Sequence, residues 1–394
     1  MTSERGPRRL RLPDGRRLAF AEHGDSDGRA VVYCHGFPSS HREAELIGPG
    51  ARAEGVRIIA PDRPGYGDSD PLPQRSIAGW AEDVAALADH LGLGHFALVG
   101  VSGGGPYALA CAQHLPERIQ ACALVCPLGP IYRPEVLAAM HPAIRASFLL
   151  PRRAPRLARL LLARPATELL SLWPEAIERL RSLHAPPADR DALARPEVSR
   201  TLNGSIRDAM RGGALGALDD LLLYTGDWGL DFGALTLPID LWHGEADGTV
   251  PVAHARWYAA RLPNAHPHLL AGEGHFSLPL RHSRVILHTL LTRYAARPPV
   301  PGDGVSAIGS LGEATKTAGT RALTGNTREM PAARHYDESR AQRAPSPPRP
   351  LGEGRGEGND GGPRNAGTES PPAPWSDTAD PAPGPPTAHT GMRA

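Results

Sequence analysis

The chain has 394 residues, with 43 Lys plus Arg against 42 Asp plus Glu, so a formal charge of +1 creates no field that would attract nucleic acid or an acidic membrane. Its apolar residues are unevenly spread: residues 297–394 hold 16 Pro and 15 Gly but only six Ile, Leu, Val or Phe, too little apolar surface to offset the entropy of ordering. Residues 297–394 are therefore expected to form a disordered Pro/Gly-rich tail, leaving residues 1–296 as one large domain with a sizeable core.

The one lysine, Lys316, falls in that tail, which excludes a Schiff-base, pyridoxal or phosphate-loop lysine from the folded part. Cys34, Cys111, Cys122 and Cys126 lie in apolar stretches without C-x-x-C spacing and read as buried, reduced thiols. Met1–Phe20 carries arginines but no apolar run, and no segment reaches the roughly 18 apolar residues of a spanning helix, so a cytoplasmic protein is expected.

In chain order, Arg9–Leu12 and Arg17–Phe20 flank Asp14-Gly15, a hairpin signal. Short β-rich runs follow at Val31–Cys34, Arg57–Ala60, Phe96–Val99, Cys122–Val125, Ile239–Leu241 and His268–Leu270, alternating with helical patterns. That alternation predicts a mostly parallel sheet flanked by helices, an α/β fold. Trp80, Val84, Leu87 and Leu91 share one helix face, which should end at Gly92. From about 130 to 235 the strands give way to Leu- and Arg-rich stretches punctuated by Pro151, Pro165, Pro174 and Pro186-Pro187, the pattern of a helical cap inserted into the sheet domain. Nine arginines and four glutamates in residues 131–183 are compatible with lipid contact, but a lid with leucines toward the site and arginines toward water is the expected arrangement. An amphipathic helix around Arg284–Tyr294 closes the domain.

The pattern G-x-S-x-G occurs twice, at Gly24–Gly28 and Gly100–Gly104. Ser26 sits in a polar Asp/Gly loop with no helix after it and reads as a turn residue. Ser102 follows an apolar strand and opens the helical run Pro106–His114, the place of a nucleophile on a sharp strand-to-helix turn. Such a turn strains the serine backbone and leaves no room for a Cβ two residues to either side, which Gly100 and Gly104 satisfy.

A serine nucleophile needs a base, and the base an orienting acid. After the cap, His243–Pro251 places Asp247 in a loop beyond a strand, ahead of its rivals Asp240, which lies inside the strand, and Glu245, which comes earlier in the loop. His275, in Gly272-Glu273-Gly274-His275-Phe276, stands just past the last strand and is the candidate base. His266 and His268 alternate on a strand with no third metal ligand near and read as solvated. The Phe37 N–H, in His35-Gly36-Phe37-Pro38, can converge with that of Gly103 as an oxyanion hole; His35 itself reads as a packed residue, and Asp62–Ser69 as a loop that shapes the site.

With these motifs in this order, each after a strand, residues Arg9 to about Tyr294 resemble the α/β-hydrolase family with a lid between the sixth and seventh core strands. The resemblance implies a serine hydrolase with Ser102, Asp247 and His275 as triad, Phe37 and Gly103 as oxyanion donors, and neither cofactor nor metal. Epoxide hydrolases and haloalkane dehalogenases share the His-Gly-x-Pro feature but carry aspartate at the elbow, so Ser102 argues against their alkyl-enzyme ester. The expected substrate is a small to medium apolar carboxylic ester, facing cap residues among Leu149, Leu150, Leu169, Leu170, Trp173 and Trp228. Carbon-carbon bond hydrolysis, proline-type aminopeptidase action with Glu175 or Glu178 holding the ammonium, and a slow-turnover receptor are the alternatives. A small-molecule substrate is the expected partner, without nucleic acid and without membrane contact.

Overall fold

The computed structural model describes residues 6–158 and 185–297. The expected tail from residue 298, and the cap positions Leu169, Leu170, Trp173, Glu175 and Glu178, lie outside the described residues. Eight strands form one sheet: β1 Arg8–Arg11, β2 Arg17–Gly24, β3 Arg29–Cys34, β4 Val56–Pro61, β5 Phe96–Val101, β6 Ile119–Val125, β7 Ile239–Gly244 and β8 Ala265–Leu270. Their spatial order is β1-β2-β4-β3-β5-β6-β7-β8. The β1-β2 and β2-β4 pairs are antiparallel, whereas every later pair is parallel.

Burial explains why the central strands read as unbroken apolar runs. Every residue of β5, β6 and β7 is buried, because helices cover both faces of a parallel sheet. The two faces separate by strand period: Val32, Ile59, Leu98 and Leu124 pack in one core with Val84, Leu87, Tyr107 and Leu109. Val31, Ile58, Ala60 and Val99 turn the other way, against Ala51, Ile286, Leu287 and Leu290. At the outer edge β1 presents three arginines, Arg8, Arg9 and Arg11, largely to solvent, a charge pattern that discourages edge-to-edge pairing.

The helices on the first face are α2 Trp80–His90 and α3 Gly105–His114; those on the second are α1 Gly48–Ala53 and α10 Ser277–Ala296. The α2 helix ends as its sequence demands, with Gly92 at φ +66° just beyond it. The α10 helix begins earlier than the Arg284 pattern suggested, at Ser277, because its first turn is buried at Ser277 and Leu278. All four cysteines are free and buried.

Between β6 and β7 the described residues contain no strand. They form α4 Pro134–Ala138, α5 Pro142–Arg153, α6 Pro187–Leu193, α7 Pro196–Ala209 and α8 Leu215–Tyr224, while α9 Ala253–Ala259 follows β7. Proline opens α4 to α7 at the first helical turn, where a missing N–H costs nothing. Among the described residues no helix is long and apolar enough to cross a membrane.

Candidate active site

The residues singled out by sequence meet at the carboxyl ends of β3, β5, β7 and β8, where an open parallel sheet places loops side by side. Ser102 takes φ +53° between β5 and α3, a left-handed conformation that costs a non-glycine residue on the order of 1–3 kcal/mol. Its flanking glycines have no alternative: a Cβ on Gly100 would lie 2.7 Å from the Ala108 Cβ, and one on Gly104 would overlap the Cys34 carbonyl. Ser26 lies in an exposed turn.

His275 Nε2 stands 3.0 Å from Ser102 Oγ, and its Nδ1 stands 2.8 Å from Asp247 Oδ2. The other Asp247 oxygen accepts the Thr249 and Val250 N–H groups, each at 2.8 Å, so the carboxylate cannot rotate away from the imidazole. The rival acids are engaged elsewhere. Asp240 bonds His268 Nε2 at 2.8 Å and Arg293 Nε at 3.4 Å, and the exposed Glu245 pairs loosely with Arg256 at 3.6 Å. His268 also stacks on Trp242, ring centroids 3.9 Å apart, rather than facing solvent alone.

Burial acts to lower the pKa of the His275 imidazole, but the Asp247 charge and hydrogen bond carry it above the ordinary value, with Asp189 and Glu43 adding in the same direction. Burial would likewise raise the Asp247 carboxyl, yet the charge and hydrogen bond of His275 hold it below its usual range. Nearby His243 is pushed the other way, chiefly by burial.

Cys126 Sγ joins the Asp247 and His275 ligand atoms in a group lying within 4.8 Å of one another, the one such trio among the described residues. Burial pushes the Cys126 thiol well up, and the other two groups are bonded to each other. An ion there would have to strip a thiol proton and break the histidine–aspartate bond.

Phe37 lies against the elbow, since a Cβ on Gly103 would meet the Phe37 Cβ at 2.7 Å and the Tyr224 hydroxyl at 2.6 Å. No acceptor among the described residues takes the Phe37 N–H. His35 is fully buried, and burial holds its pKa well below the ordinary value. Its Nε2 accepts the Arg63 N–H at 3.3 Å, which leaves Nδ1 as the donor to the Gly36 carbonyl at 3.0 Å.

Several contributors gave no motif signal. Asp189, on α6, accepts the backbone N–H groups of His275, Phe276 and Ser277 at 2.8, 3.0 and 2.8 Å, capping α10 from the inserted helices. Glu43 accepts the Gly36 N–H at 2.6 Å, and burial raises its carboxyl pKa. Asp220, on α8, is fully buried among Arg63, Arg75, Tyr66 and Tyr107. Burial would raise its carboxyl, but Arg63 and Arg75 hold it well below the usual carboxylate range. Arg63 and Tyr66 stood in a segment that sequence had marked, the loop after β4.

Of the cap residues named from sequence, Trp228 is buried and Leu150 is 59% exposed. The Phe37 ring instead meets Phe148 at 6.4 Å and Tyr224 at 5.6 Å between centroids. An aromatic wall from α5 and α8 therefore stands beside the serine.

Comparison with known proteins agrees with this architecture. Over 115 residues, 28% of this chain and 20% of the relative, the chain is 35% identical to bifunctional epoxide hydrolase 2 of Sus scrofa. It is 35% identical over 120 residues to the non-heme chloroperoxidase of Streptomyces lividans, covering 30% of this chain and 44% of that protein. The chain thus spans less than half the length of these two relatives.

Among solved structures, a thermophilic esterase from Thermogutta terrifontis matches with TM-score 0.56 at 23% identity, over 74% of this chain and 100% of that one. A bromoperoxidase from Bacillus anthracis matches with TM-score 0.57 at 21% identity, over 74% and 100%. At these identities the likeness establishes the fold alone. The model of the α/β-hydrolase fold family matches residues 29–281, more than half of the chain, and the protein belongs to that family.

Proposed function

We propose that the protein is a serine hydrolase that cleaves small to medium, largely apolar carboxylic esters through an acyl-enzyme on Ser102. The observation that carries this reading is the unbroken line from Ser102 Oγ through the two His275 nitrogens to Asp247, at 3.0 and 2.8 Å, on a serine held at φ +53°.

In this reading Asp247 accepts the Nδ1–H of His275 and leaves Nε2 free to take the Ser102 proton. Oγ then attacks the ester carbonyl carbon, and the carbonyl π electrons move onto oxygen, where the Phe37 and Gly103 N–H groups hold the charge. As the tetrahedral adduct collapses, His275 returns its proton to the departing alkoxide and the acyl group remains on Ser102. Water repeats the sequence: His275 takes its proton, the hydroxide bonds to the acyl carbon, and Ser102 leaves as an alcohol with the proton back on Oγ. No step requires a metal or cofactor.

A serine at the elbow speaks against the ester intermediate of aspartate-bearing relatives, because attack on an epoxide carbon would leave an ether that water at the site could not hydrolyse. The preference for an apolar ester is supported by Phe37, Phe148 and Tyr224 beside the proposed oxyanion donors. Treatment with a fluorophosphonate followed by mass spectrometry should find the adduct on Ser102 and none on Ser26. Turnover of short p-nitrophenyl esters should vanish in Ser102→Ala. An adduct elsewhere, or full esterase activity in Ser102→Ala, would sink the reading; labelling without turnover of any ester, with turnover of a meta-cleavage diketone, would move it to carbon-carbon chemistry.

A further inference from the structure

The two peptide groups that would stabilise the oxyanion are both held from behind. A trans peptide points its C=O and N–H in opposite directions, so whatever bonds the carbonyl also aims the hydrogen. The carbonyl of the Ser102–Gly103 peptide accepts the Leu128 N–H at 2.9 Å. The carbonyl of the Gly36–Phe37 peptide accepts two donors, His35 Nδ1 at 3.0 Å and Arg63 Nη2 at 2.9 Å.

Arg63 does more than touch that one oxygen. Its Nη1 donates to the His35 carbonyl at 2.5 Å, so one planar guanidinium grips two successive peptides of the loop. On the opposite side Glu43 accepts the Gly36 N–H at 2.6 Å. The strand of backbone that carries the Phe37 N–H therefore lies between a cation on its carbonyls and a carboxylate on its amide.

The guanidinium is itself fixed from the inserted helices. Arg63 Nε and Nη2 both donate to Asp220 Oδ2, at 3.1 and 2.9 Å, and neither side chain has any exposure. The same helix, α8, reaches the other half of the site, where the Tyr224 hydroxyl donates to the Gly103 carbonyl at 2.9 Å. Asp220 also holds Arg75 at 2.6 Å, and a buried ionic cluster of this kind is poor evidence of stability, since well-packed apolar residues can replace it without loss. Its place beside the proposed nucleophile calls for a different explanation.

We infer that Arg63 is a positioning residue of the oxyanion hole, orienting and polarising the Phe37 N–H through the Gly36 carbonyl, with Asp220 of α8 as its anchor. A cation on the carbonyl draws electron density from the peptide and makes its N–H a stronger donor. The rigid fork supplies direction as well as charge. A lysine carries the charge on one nitrogen and cannot bridge both carbonyls and the carboxylate at once.

This inference rests on the serine-hydrolase reading, so the first measurement is fluorophosphonate labelling of the wild-type full chain. Failure to label Ser102 defeats that reading. Given a labelled wild type, Arg63→Lys should lower kcat on a short p-nitrophenyl ester about 10- to 100-fold, with KM changing less than about threefold. The rate of fluorophosphonate labelling should fall in step, because that reaction needs the same donors.

A folded Arg63→Lys protein with wild-type kcat and labelling rate overturns the inference. Should Arg63→Lys not fold, Arg63→Met leaves Asp220 paired with Arg75 at 2.6 Å and should show the same loss of kcat. A wild-type kcat in that protein overturns the inference equally. General softening is tested at the part-buried pair of Arg16 and Asp83, 2.6 Å apart. Asp83→Asn should lower the melting temperature and leave kcat unchanged, and an equal fall in kcat there would also defeat the proposal.

Discussion

Two histidine–aspartate pairs join β7 to β8, one within the strands and one in the loops that follow them. His275 and Asp247 are 28 residues apart and bond at 2.8 Å, and so are His268 and Asp240. Distance and spacing do not tell them apart; surroundings do. Asp240 and His268 lie within their strands and are held laterally by Arg293 and by the Trp242 ring. Asp247 and His275 lie past the strand ends, where loops from β3 and β5 arrive and where the second imidazole nitrogen finds Ser102. The proposed chemistry of the dyad thus depends on a third group and on the strand ends that supply it.

The sharpest way to break the comparison is to remove one member of each pair. His275→Ala and Ser102→Ala should each remove nearly all ester turnover, and the double variant should be little worse, because each group acts only through the other. Asp247→Asn should lower kcat by about 10⁴-fold, through the wrong imidazole tautomer. Asp240→Asn should leave kcat within about twofold, since its bonds lead away from the serine. Equal losses from Asp247→Asn and Asp240→Asn on a p-nitrophenyl ester would show that the pairs are not distinguished in this way.

A second effect comes from the inserted helices. Asp189→Ala deprives the His275 loop of three hydrogen bonds and should lower kcat about tenfold, the cost of a modest misplacement of the base. Steady-state kinetics on the same ester, with circular dichroism to confirm folding, measures this. An unchanged kcat would mean that β8 and α10 hold the base without help from α6.

The pH profile sharpens the electrostatic difference. A base must be neutral to accept a proton, and His275 is raised above the ordinary imidazole value of 6.5 by Asp247. The kcat/KM for an ester should therefore climb with pH through a midpoint above 6.5 and fall away below it. Replacing Glu43 by Gln withdraws one of the carboxylates that raise His275, so the midpoint should move slightly lower. A shift upward would show that Glu43 bears on the site by another route.

The smallest expected effect is on stability. His268→Ala removes one hydrogen bond and a ring stack from a side chain that is about one-third exposed, and should cost about 1 kcal/mol in urea unfolding. Its ester turnover should match wild type.

The sequence by itself determined the sheet, the strained turn at Ser102 and the order of the residues proposed as a triad. Strands buried on both faces must be apolar throughout, a left-handed turn tolerates no Cβ at Gly100 or Gly104, and a proton relay needs its residue types after successive strands. These are local or periodic constraints, and a linear chain records them directly. What only the tertiary structure decided is which polar groups converge. Asp189 and Asp220 come from inserted helices with no fixed spacing to the residues they hold, 86 and 157 positions from His275 and Arg63. An aspartate on a short helix looks the same in sequence whether it faces water or a buried guanidinium, because partnership across such separations is set by how the helices pack on the sheet.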